Sequence, residues 1–137
     1  MASTETFPCT SAAGAAVAPS AEPLFDAERL EVYRVALAFQ QMVPSLIPRR
    51  GCAALRDQLD RASASIALNI AEGCGRWARP DKAHFYTIAR GSAMECAAVL
   101  DVLVSRGLLS SAAHRHCRGL LVRVTQMLTK LVLRMAG

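Results

Sequence analysis

Aromatic residues are scarce in this sequence. They make up 5% of 137 residues and include a single tryptophan. Apolar residues reach 53%, so alanine and leucine supply most of the apolar mass, which favours packed helices over sheets. No stretch shows the apolar–polar alternation of a strand. No apolar run approaches the roughly 20 residues that span a bilayer, and the N-terminus lacks the basic start and continuous apolar stretch of a secretory signal. A cytoplasmic location, with no membrane partner, is therefore expected. CxxC pairs are also missing. The five cysteines (Cys9, Cys52, Cys74, Cys96 and Cys117) are odd in number and scattered, which fits reduced thiols, with Cys96 and Cys117 as small core residues. Gly73-Cys74-Gly75 has neither a preceding strand nor a following Lys-Ser/Thr, so it is not a phosphate loop. A lone glutamate with no His, Ser or Cys partner at helical spacing is a weak acid–base candidate. Neither enzymatic activity nor a cofactor is expected.

Acidic residues are absent after Asp101, and that end of the chain is basic. Glu5 and Glu22 are the only two of the 11 acidic residues before Phe25. From there on, 16 basic residues face 9 acidic ones, a net +7. Arg106, Arg115, Arg118, Arg123, Lys130 and Arg134 all follow Asp101. A basic face of this kind suits nucleic acid, an anionic membrane or an acidic protein; a merely solvated helix face is the plain alternative.

Residues 1–24 are rich in Ala, Ser, Thr and Pro and have almost no large apolar groups, so they read as a disordered tail. Residues 25–137 form one domain, long enough for a core without staples. Four helices are expected. The first follows Asp26 as N-cap, carries Leu30, Tyr33, Leu37 and Phe39, and ends at Pro44 and Pro48. The second covers residues 53–72. Its stripe of Leu55, Leu59, Ala62, Ile66 and Ile70 has helical spacing, and Gly73 closes it as a C-cap glycine. The third opens at Pro80 with the stripe Phe85, Ile88, Ala89, Ser92, Cys96, Val99 and Leu103, and stops at Gly107. The fourth opens at Ser110 or Ser111. It turns Cys117, Leu120, Leu121, Val124, Leu128, Leu131 and Met135 inward. Val122, Val132 and Leu133 lie outside that stripe, a surplus that suggests self-association. Short connectors make neighbours antiparallel, so the fold class is all-α, an up-down-up-down four-helix bundle.

The stretch NIAEGCGRWARPDKAHFY, residues 69–86, spans the hairpin between helices two and three. Antiparallel pairing brings Asn69 near Phe85 and Tyr86, and Arg61 near Ser92 and Glu95. An Arg61–Glu95 ion pair and an Asn69 hydrogen bond across the hairpin are expected. Glu72 falls near the free N–H groups that open helix three. Polar groups on an apolar seam fix register, at some cost in stability. A structural or interaction role is favoured here over ligand binding or catalysis. Trp77, among Arg76, Arg79 and Lys82, either covers the bundle end, the favoured reading, or stacks on a nucleobase. His114, His116 and Cys117 stand close together, but only His114 and Cys117 share a helix face. An exposed His pair beside a buried Cys is favoured over a metal site.

The combination of Gln58-Leu59, Arg61-Ala62, Ser65-Ile66, Asn69-Ile70-Ala71-Glu72-Gly73, Gly75-Arg76, Phe85, Ile88-Ala89-Arg90-Gly91-Ser92 and Glu95 resembles the bacterial S23-like four-helix family associated with intervening sequences of large-subunit ribosomal RNA genes. The likeness spans about residues 25–135. It implies a homopentameric bundle without established enzymatic activity. A distant similarity to the accessory protein of diversity-generating retroelements implies work with a reverse transcriptase and nucleic acid. The sequence departs from the family at Ala78, where Ser or Thr is usual, and at Lys82, where an aromatic is common. The functional expectation is a non-enzymatic oligomer that binds structured RNA. Arg115, Arg118, Arg123, Lys130 and Arg134 are the phosphate contacts, while Arg61, Asn69, Glu72, Gly73, Arg76, Gly91, Ser92 and Glu95 build the hairpin. The alternative is a protein-binding scaffold or accessory subunit for a nucleic-acid enzyme such as a reverse transcriptase.

Overall fold

A computed structural model of the chain describes residues 24–47 and 50–137. The expected tail lies outside them, apart from Leu24. A 3₁₀ turn at Asp26–Arg29 leads into α1 (Glu31–Leu46), α2 (Ala53–Gly75), α3 (Arg79–Ser105) and α4 (Ser111–Ala136). Helix α1 packs on α2 and α4, and α3 packs on the same two, while the backbones of the diagonal pairs stay apart. The sequential order around the ring and the short connectors make this an up-down-up-down bundle.

The ends show how local chemistry sets the helices. Ser110 caps α4, its Oγ accepting the Ala113 N–H at 3.2 Å. Gly107 (φ 70°) closes α3. Its N–H bonds to Val104 O and that of Leu108 to Leu103 O, the paired bonds of a Schellman motif. The expected Asp26 cap is not used. Asp26 lies inside the 3₁₀ turn, and α1 begins after an uncapped Leu30. Pro44 does not end α1, because a proline in the last turn forfeits one bond only, and the helix runs on to Leu46. Pro48 lies outside the described residues. Gly73 does not close α2, which continues to Gly75.

Phe39, Leu59, Ile66, Ile70, Leu100, Leu103, Leu121, Val124 and Leu128 are fully buried and fill the centre. The α2 and α4 stripes are inward as expected, with Leu55, Leu120, Leu131 and Met135 half-buried at the edges. The α1 stripe is corrected. Leu37 is exposed, and the buried line is Val32, Val35, Ala36, Phe39, Val43 and Leu46. Leu30 and Tyr33 stay half-buried against the core and Phe39 is fully buried, so of the expected line only Leu37 is turned out. On α3, Ile88 is exposed and Phe85 half-buried, while Tyr86, Ala93 and Leu100 take core places.

Candidate nucleic-acid interface

All five expected phosphate contacts lie exposed on α4. At 3.6 residues per turn they fan over about 160° of the helix, opposite the buried line of Cys117, Leu121, Val124 and Leu128. Arg123 is tied to α1, its Nη2 lying 2.8 Å from Glu31 Oε1, with both side chains half or more exposed. Such a pair adds little stability and is easily exchanged for a phosphate. Among the described residues, Arg115, Arg118 and Lys130 donate no hydrogen bond and make no ion pair. Lys130 and Arg134 border a shallow groove against Leu30, Glu31 and Val32 of the opening of α1. Arg118 borders a second groove, between α3 and α4, with Arg90, Met94, Ala97 and Val122. Sequence reasoning gave Arg90 no role. Its Nε donates to Thr129 Oγ1 at 2.9 Å and ties α3 to α4. A cation three residues from the inward Ala93 on α3 was the available signal.

The α2–α3 seam is polar where the sequence placed it, with different partners. Asn69 does not bond across the hairpin. Its Nδ2 donates to Ser65 O at 2.8 Å and Ser65 Oγ at 2.9 Å on its own helix. Ser65 makes the crossing, with its Oγ 2.9 Å from Ser92 Oγ. The Arg61–Glu95 ion pair is not formed. Glu95 Oε1 accepts from Gln58 Nε2 at 3.0 Å, and Arg61 turns back toward Asp57 O at 3.4 Å. Arg61 and Glu95 still line one small hollow with Ser65 and Ser92. The reach is shorter for Gln58, and an exposed arginine gains little from a solvated carboxylate. Gly91 is exposed with open space where a Cβ would stand, so nothing in the structure requires glycine there.

The hairpin end is held by contacts that local patterning does not announce. Glu72 does not serve α3; it pairs with Arg76 at 2.6 Å, one turn on. Arg76 in turn lies over the Phe85 ring, 4.7 Å from its centroid. Gly73 sits inside α2 because Tyr86 crowds it, and a Cβ there would stand 2.8 Å from Tyr86 Cε1. Burial pushes the Tyr86 hydroxyl well above its ordinary range, helped by its contact with Cys74 Sγ at 3.5 Å. Ala78 offers α3 no side-chain cap. Lys82 replaces the common aromatic and gives its ammonium to Gly73 O and Cys74 O at 3.3 and 2.9 Å, capping the end of α2. Arg79 donates to the main-chain oxygen of Arg134, joining the hairpin end to the end of α4. Trp77 does not cover the bundle. It is 98% exposed, because a turn of residues 76–78 leaves no length to fold it back.

His114 is half-buried rather than exposed, its Nε2 lying 2.8 Å from Asp101 Oδ1 on α3. His116 is exposed and Cys117 buried. No helix among the described residues is long and apolar enough to cross a membrane.

An antiparallel four-helix bundle with a serine-bridged α2–α3 seam and a fourth helix carrying cations alone defines the class. The sequence model described as 23S rRNA-intervening sequence protein matches residues 28–130, and the chain belongs to that family. A crystal structure of a protein of unknown function from the S23 ribosomal protein family of Bacteroides thetaiotaomicron has the same fold. Its TM-score is 0.69 at 19% identity, covering 74% of this chain and 97% of that one. No curated protein matches the chain.

Proposed function

We propose that this protein is a non-enzymatic, oligomeric bundle that binds structured RNA electrostatically through the outer face of α4. One observation carries the reading: five exposed cations share a helix that has no acidic residue. Phosphates replace condensed counterions on such a face, so affinity falls steeply with salt. Self-association is part of the proposal, and the pentamer is what the family resemblance implies. Leu133 and Met94 are 66% and 53% exposed, and Val122 and Val132 are only half-buried, which is more apolar surface on α3 and α4 than a lone bundle needs.

A second reading, an accessory subunit for a nucleic-acid enzyme such as a reverse transcriptase, draws on the α3–α4 groove. Met94, Ala97 and Val122 offer an apolar floor there, flanked by Arg90 and Arg118. Binding of RNA and DNA fragments across a salt series, with mass followed by light scattering, separates the two. Salt-sensitive binding by an oligomer is expected, weakened by ten-fold or more in Arg118→Glu with Lys130→Glu. An absence of binding at low salt removes the direct role and leaves the accessory one.

A further inference from the structure

Among the described residues nothing packs on the one tryptophan of the chain, at the end of the bundle where the α2–α3 turn meets the end of α4. Its surroundings are fixed. Arg76 is held by Glu72 and by the Phe85 ring, Arg79 by the main chain of α4, and Lys82 by the carbonyls of Gly73 and Cys74. The turn is thus pinned on both sides while the indole stands free. Beside it opens a hollow of about 780 Å³ lined by Leu68 (68% exposed), Ala71, Gly75, Glu72, Arg76 and Asp81.

These features select the occupant. Arg76 lines the hollow and balances Glu72, so the Asp81 carboxylate is its net charge, which disfavours phosphate inside it and admits an uncharged ring. Further cations stand nearby, at Arg79 and at Arg134, whose main-chain oxygen Arg79 bonds. The exposed apolar side chains at this end, Leu68, Trp77 and Phe25, are few against the roughly 800 Å² that each partner of an ordinary protein interface covers. A flat, exposed aromatic on a pinned turn, with cations around it, takes a single unpaired base, which stacks on the ring while its phosphates lie on the cations. We propose that Trp77 is a stacking platform for one unpaired nucleobase of the RNA that lies along α4. The inference rests on the RNA reading above and adds a preference for single-stranded or looped RNA over a continuous duplex.

The lone indole makes the test direct. Full-length protein is titrated at low salt with a single-stranded 12-nucleotide RNA and with the duplex of the same sequence, following both Trp77 emission and binding by anisotropy. Strong quenching by the single strand and little by the duplex is expected. Trp77→Ala loses roughly ten-fold in single-strand affinity and leaves duplex affinity unchanged, while Trp77→Phe retains most of it. Since Trp77 touches nothing, neither substitution perturbs the fold. Single-strand binding with unaltered emission overturns the stacking role and leaves the α4 reading intact. Failure of both RNAs to bind overturns both. Emission that shifts to the blue with protein concentration alone assigns the ring to a subunit contact and also overturns the proposal.

Discussion

Glycine residues here show how the same amino acid answers different demands. At Gly73 the Tyr86 ring occupies the space a Cβ would need, and Phe85 Cβ lies 3.2 Å from that point. At Gly119, inside α4, nothing lies within 4 Å of it. Gly73→Ala is therefore expected to destabilise the protein. Overpacking costs about 1–3 kcal/mol, offset only in part by a gain in helix propensity of up to about 1 kcal/mol. Gly119→Ala gains that propensity without a clash and raises the melting temperature. Thermal unfolding of the two variants checks both signs. Sequence reading took Gly73 for a helix stop because a glycine pair stands just before the turn. Its contact with Tyr86 depends on how α3 rotates, which local sequence does not encode. Cys96 gives a second expectation at this scale. Burial, and then the charge of Glu95, pushes its thiol up to about 12 from an ordinary 9.0. Above about pH 9 the unfolded chain releases a proton that the native one retains, so stability present below pH 9 declines as pH rises toward 12. Cys117 is shifted in the same direction by burial and shares in the decline. Urea midpoints between pH 8 and 11 should fall for the native chain and fall less for Cys96→Ala.

Among the elements, α2 and α4 were legible because their large apolar residues form one stripe each at helical spacing. Helix α1 was not. Of its expected line, Leu30, Tyr33 and Phe39 do pack on the core while Leu37 faces solvent, and the buried Val32, Val35 and Ala36 were not on it. The polar seam was placed correctly between α2 and α3, but its partners were not, because a shift of about one helical turn exchanges Arg61 for Gln58 opposite Glu95. Helix α4 is where charge becomes a quantity. Each cation that contacts a phosphate contributes about 0.7–0.9 to the slope of log affinity against log salt. Lys130→Gln should lower the slope by about one such step, equally for RNAs of different sequence, whereas a purely solvated helix face leaves it unchanged. Salt titrations of the two proteins on two unrelated RNAs decide this.

At the scale of the molecule, the helices do not contribute equally. Helix α1 has 16 residues against 23, 27 and 26 for the others and carries Pro44. Its contacts with α2 and α4 are also less extensive than those of α3. A bundle built this way opens in stages. Helix α1 is the unit with the smallest cost of detachment, and α2, α3 and α4 remain as a cooperative three-helix unit. Its backbone amides should exchange with deuterated solvent well ahead of those at Ile66, Leu100 and Leu121, under conditions where the whole chain stays folded; uniform protection across all four helices would refute this. The departure of α1 bares the inner sides of α2 and α4. That gives one copy a vacancy the first helix of another copy fits, a route by which subunits exchange a segment and become linked.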